Sequence, residues 1–109
     1  PKLPDDVAVA ALDDSGVIRK MYKRTFQRAL GPNATVLIAG ETLRDVETFA
    51  DVVINADPPF DIVLLDNYLD FPGNDVTGAD IAADLRKRDH RGSTVFIRSA
   101  NNSAHDVDH

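Results

Sequence analysis

The amino-acid sequence predicts an α/β domain in which a parallel β-sheet is wound on both faces by helices, and three observations carry that expectation. Short apolar runs without period-2 alternation recur along the chain, as they do in strands buried on both faces. Each of the first three runs is followed by a segment with helical periodicity, and that alternation implies parallel strands joined by right-handed crossovers. Three of the runs finish in polar residues, Asp13-Asp14, Asp66 and Ser99. In a parallel sheet those ends lie along one edge, where open α/β sheets bind ligands.

Val7 to Leu12 reads as the first strand, ended by Asp13-Asp14. Ser15-Gly16 opens a helix in which Ile18, Met21, Tyr22, Thr25, Phe26 and Ala29 recur at helical spacing, and Leu30-Gly31-Pro32 stops it. The opposite face carries Arg19, Lys20, Lys23, Arg24 and Arg28, which suits a solvated helix face. Ala34 to Ala39 is the second strand, closed by Gly40. Thr42-Leu43-Arg44-Asp45 is a capping box, and the helix behind it shows Leu43, Val46, Phe49, Ala50 and Val53 on one side before Pro58-Pro59.

The central strand is Ile62 to Leu65, with Asp66 at its end. Leu69 to Asp75 is a turn-rich loop. Thr77-Gly78-Ala79-Asp80 again looks like a cap, followed by a helix with Ile81, Ala82 and Leu85 as its buried stripe. Arg86-Lys87-Arg88 suits the negative end of the helix dipole, and Gly92 is expected to end the helix. Thr94 to Arg98 is the fourth strand, delivering Ser99-Ala100; alternation turns Arg98 away from the face of Ser99.

With 109 residues the chain has length for one domain. A formal net charge of -6 argues against binding a phosphate backbone, so nucleic acid is not an expected partner. No apolar run reaches bilayer length and Pro-Lys-Leu-Pro-Asp-Asp lacks a signal-peptide pattern, so no membrane partner and a cytoplasmic location are expected. The absence of cysteine excludes disulfides and thiolate metal sites. His105 and His109 have the spacing of paired metal ligands but no third ligand in view.

Carboxylates brought within roughly 4 Å repel by about 4 kcal/mol per pair at an effective dielectric near 20. Protonation of one carboxyl through a raised pKa relieves that repulsion, and so does a hard divalent cation such as Mg²⁺. A metal-bearing carboxylate set fits acceptance of a phosphoryl group on aspartate, with Ser99 or an amide beside it holding a phosphoryl oxygen. The plainer readings are an Asp13 or Asp14 that caps the helix near Ser15, an Asp66 that merely ends a strand, and a Ser99 that forms a turn. Tyr68 and Phe71 fit packing or interface roles.

Taken in order, Leu12-Asp13-Asp14-Ser15, Leu64-Leu65-Asp66, Thr77-Gly78-Ala79-Asp80-Ile81 and Ile97-Arg98-Ser99-Ala100 resemble the receiver domains of two-component response regulators over nearly the whole chain. The resemblance implies a doubly wound, flavodoxin-like receiver fold over residues 1–109 with strand order 2-1-3-4(-5). It implies Asp66 as phosphoacceptor in a signalling domain that is not itself an enzyme. Mg²⁺ would be held by Asp13, Asp14 and Asp66 with the backbone carbonyl of Tyr68. Amides of Asn67 and Ala100 would contact the phosphoryl group, and Ser99 would be the switch hydroxyl. A sensor histidine kinase or histidine phosphotransfer protein would be the donor, with the basic face of the first helix as a candidate docking surface.

The family also has a fifth strand ending in Lys and a fifth helix on the sheet face of the first; the sequence reaches His109 before either. The expectation is therefore a piece of a longer receiver, the ordered part of one, or a chain covered by a second copy through swapping or homodimerisation. Gly78 lies twelve residues past Asp66, a longer spacing than the family's, and Asp70 stands where a Pro is common. Asp70 and Asp75 are expected to solvate that loop. Two other functions remain open at this point: a phosphorylation-incompetent pseudo-receiver, and an aspartate-nucleophile hydrolase, whose Asp-x-Asp signature differs from the adjacent pair here.

Overall fold

Strand and helix alternate through the computed structural model, which describes residues 6–99. The elements are β1 (Ala8–Leu12), α1 (Gly16–Ala29), β2 (Thr35–Ala39), α2 (Leu43–Asn55), β3 (Ile62–Asp66), α3 (Gly78–Lys87) and β4 (Thr94–Arg98). All four strands are parallel and lie in the order β2-β1-β3-β4, the predicted topology. Ala100 and the two C-terminal histidines fall outside the described residues.

Every residue of β1 is buried, which explains its unalternating apolar sequence. One face of the sheet packs Ala10, Leu12, Val63 and Leu65 against Val46, Phe49 and Val53 of α2 and Ile81 and Leu85 of α3. The helices are fixed at their starts as the sequence predicts. Thr42 and Thr77 each accept from the amide three residues on, while Asp45 and Asp80 accept from the amides of those threonines.

On the other face α1 lies against the sheet with Ile18, Tyr22 and Phe26 half-buried and no residue fully buried. Tyr22 and Phe26 stack with ring centroids 5.7 Å apart. Met21, Thr25 and Ala29 of the predicted stripe are exposed, because only one edge of that stripe meets the strands. The end of α3 also differs from expectation. The helix stops at Lys87, and the residue with left-handed φ is Asp89 at 61°, well before Gly92. Asp tolerates that conformation better than most residues.

Candidate functional site

The site is assembled where β1 and β3 end. Leu12 and Leu65 face α2 and α3, so the next residues, Asp13 and Asp66, turn to the α1 face by alternation. Asp13 is 1% exposed and held from several directions. Its amide donates to the Ala39 carbonyl at 3.1 Å, and its Oδ1 accepts from the Ser15 amide at 2.9 Å. Arg19 Nη1 donates to the Asp13 carbonyl at 2.9 Å and the Gly40 carbonyl at 3.1 Å. Gly40 has φ of 123°, and a Cβ there would stand 2.1 Å from the Asp13 carbonyl oxygen. Only glycine fits such a place. Helix capping does not account for the acidic pair, since Ser15 Oγ accepts from the Ile18 amide at 3.3 Å and is itself the cap.

Asp66 is buried, and its Oδ1 accepts from the Tyr68 amide at 3.4 Å. The start of α3 presses on the same strand end: a Cβ on Gly78 would lie 2.4 Å from the Asp66 carbonyl oxygen. Asn67 holds that approach, accepting from the Gly78 amide at 3.1 Å through its carbonyl and from the Ala79 amide at 3.0 Å through its side chain. The Asn67 amide donates to the Arg98 carbonyl at 2.8 Å. It would have to exchange that bond to reach a phosphoryl oxygen, whereas the Tyr68 amide already faces the carboxylate.

Asp14 is half-buried and accepts from the Asp70 amide at 2.9 Å. The long loop after β3 therefore folds back onto the acidic pair through the Asp70 main chain, while Asp70 and Asp75 are both exposed, as expected. Asn74 pins it by donating to the Leu69 carbonyl at 2.8 Å and the Val76 carbonyl at 3.0 Å. Leu69 is buried, and Phe71 packs against the core.

Asp13, Asp14 and Asp66 each present a carboxylate oxygen, and these atoms lie within 4.8 Å of one another. They line a cleft of about 350 Å³ together with Ser15, Ile18, Tyr68, Asp70 and Arg98. Burial, the charge of Asp13 and a hydrogen bond to Asp14 push the Asp66 carboxyl up to about 7, against the lowering effect of the Tyr68 amide. The Tyr22 phenol is also pushed up, first by burial and then by the charge of Asp13, with Arg98 opposing. An oxygen-only donor set in which burial and neighbouring charge raise one carboxyl suits a hard divalent cation. Ser99 follows β4 and is exposed.

Arg98 corrects the sequence reading. Its alternation relative to Ser99 was not the deciding relation; the lateral register pairs Arg98 with Asp66 across β3 and β4. Residues paired in this way project to one face, so Arg98 points to the carboxylates. Its Nη1 donates to Asp13 Oδ2 at 3.1 Å in an ion pair.

No protein-family model matches the sequence, and no curated protein is significantly similar to it. Among solved structures, the chain is similar to the MaeR response regulator bound to beryllium trifluoride, with a TM-score of 0.63 and 19% identity over 94% of this chain and 77% of that one. Strand order, crossovers and this similarity agree: the fold of the chain is that of a response-regulator receiver domain.

Proposed function

We propose that the chain is a phosphoacceptor module of two-component signalling, taking a phosphoryl group from a phosphohistidine onto Asp66 with Mg²⁺. The observation that carries this reading is the convergence of Asp13, Asp14 and Asp66 within 4.8 Å at the carboxyl edge of the sheet. In the transfer, an Asp66 oxygen bonds to phosphorus as the phosphorus–nitrogen bond breaks, and the electron pair returns to the donor imidazole. Asp13 and Asp14, with Asp66 and the Tyr68 carbonyl, would hold Mg²⁺. When bound, the ion supplies charge neutralisation at the phosphoryl oxygens. The Tyr68 amide and the amides of Asn67 and Ala100 are the proposed contacts of the phosphoryl group; Ser99, one residue past Arg98, would have to turn toward the carboxylates to join them. A change at Ser99 on phosphorylation would alter the surface read by partner proteins.

The basic surface of α1 supports docking of a sensor kinase or phosphotransfer protein. Val17 is 76% and Met21 47% exposed, and they share a shallow groove with Lys20, Arg24 and Arg28. Such a mixture of apolar centre and charged rim suits protein recognition. No described helix is long and apolar enough to cross a membrane.

The test uses the chain with acetyl phosphate and Mg²⁺, read by intact mass and by calorimetric Mg²⁺ titration. One phosphoryl group is expected on the wild type and none on Asp66→Ala, with the fold retained by circular dichroism. Asp14→Ala is expected to bind Mg²⁺ about tenfold or more weakly. Phosphoryl acceptance by Asp66→Ala would refute the assignment.

A further inference from the structure

We infer that Arg98 is an exchangeable cation of the acidic site: it neutralises Asp13 before the site is loaded and moves to the phosphoryl group on Asp66 afterwards. This rests on the reading of Asp66 as phosphoacceptor. The two ends of the Arg98–Asp13 pair differ in how firmly they are held. Asp13 is fixed by its amide, its carbonyl and its Oδ1, and its side chain is 1% exposed. The Arg98 side chain is 39% exposed at the end of β4, which among the described residues is an edge strand, and there it is tied only through Nη1. Whatever takes Asp13 Oδ2 therefore moves the guanidinium and leaves the carboxylate in place.

Asp13 is also one of the three clustered ligand groups, so a divalent cation and the guanidinium compete for one carboxylate. The released guanidinium has a destination close by. Arg98 is the register partner of Asp66 and is the cation among the described residues that line the cleft. Arg19 on the neighbouring helix is engaged by two main-chain carbonyls. A guanidinium has five N–H donors in a planar fork matched to phosphoryl oxygens, and it stays charged at any relevant pH. Electrostatics favour the move, since an acyl phosphate on Asp66 places more negative charge beside Arg98 than the carboxylate alone.

The experiment compares wild type, Arg98→Met and Arg98→Gln by calorimetric titration with Mg²⁺ alone, then with beryllium trifluoride as phosphoryl mimic at saturating Mg²⁺. Both variants are expected to bind Mg²⁺ about fivefold or more tightly, having lost the competitor, and the mimic about fivefold or more weakly. A residue with a merely structural role would move both affinities the same way or neither. Arg98→Gln keeps a donor for the buried Asp13 and serves if Arg98→Met does not fold. In the wild type, the Arg98 Nε–H resonance is expected to shift on adding Mg²⁺ and again on adding the mimic. Unchanged or weakened Mg²⁺ binding in the variants, unchanged mimic binding, or a resonance that ignores both additions would overturn the inference. If the wild type and Asp66→Ala both fail to bind the mimic, the phosphoacceptor reading falls and the second half of the exchange falls with it; normal wild-type binding retained by the Arg98 variants removes the exchange alone.

Discussion

The two faces of the sheet are built to different standards. Against α2 and α3 the strands form a closed apolar core in which Phe49, Val53, Val63, Leu65 and Leu85 are all at most 1% exposed. Against α1 the cover is partial: the helix has no fully buried residue, and Phe96 of β4 is 53% exposed. The carboxylates turn toward this second face, with Arg98 beside them. Among the described residues the closed apolar core thus lies on one side, and the polar groups that could rearrange sit on the other. Buried charge is tolerated best where neighbouring groups can adjust around it.

Truncation on each face tests the contrast. Phe49→Ala is expected to lose about 3–5 kcal/mol in urea unfolding, through lost transfer energy and a cavity that cannot collapse. Phe26→Ala on the half-buried α1 face is expected to lose about 1–2 kcal/mol. Equal losses would show that both faces carry the fold alike.

Gly78→Ala probes how the better-packed side reaches the site. Its Cβ would stand 2.4 Å from the Asp66 carbonyl oxygen, so α3 or the end of β3 must shift. A loss of about 2 kcal/mol or more is expected, with weakened Mg²⁺ binding. Wild-type affinity alongside a large stability loss would separate the α3 contact from the acidic site.

Asp66→Asn is the prediction with a pH signature. The carboxyl is raised from 3.8 to about 7, so between those values the folded chain keeps a proton that the unfolded chain releases. Ionising Asp66 in the folded chain therefore destabilises it, fully above about pH 7 and not at all below the unfolded value. In metal-free buffer Asp66→Asn is expected to raise the thermal midpoint at pH 8, with the gain shrinking as pH falls and gone near pH 3.8. A gain that does not vary with pH would mean that burial and the neighbouring acids do not raise the Asp66 carboxyl.

Fold and acidic cluster were legible because each rests on a one-dimensional signal. Unalternating apolar runs mark buried parallel strands, and carboxylates directly after them must share an edge once the strands are parallel. Arg98 was missed because its partner is lateral. Alternation along β4 says which way it points relative to Ser99, but only the register with β3 says that Asp66 is beside it. The usable signal was that Asp66 and Arg98 are each the last residue of their strands. The return of the Asp70 amide to Asp14 is a loop contact with no periodic signature. The exposure of Met21 and Thr25 was illegible for another reason: helical spacing marks a stripe but not how wide a strip of sheet it meets.

The two glycine contacts have a consequence for how such a chain can vary. Gly40 abuts the main chain of Asp13, and Gly78 abuts that of Asp66. The approach of the chain to each acid is therefore set by peptide groups touching peptide groups, bridged by Arg19 at the first and by the Asn67 side chain at the second, while the distance between the acids follows from the pairing of β1 with β3. Apolar residues of α2 and α3 can be exchanged for others of similar volume, raising or lowering the melting point, while the acids keep their separation. The chemistry of the rim and the composition of the interior can drift independently, as long as those two positions carry no side chain.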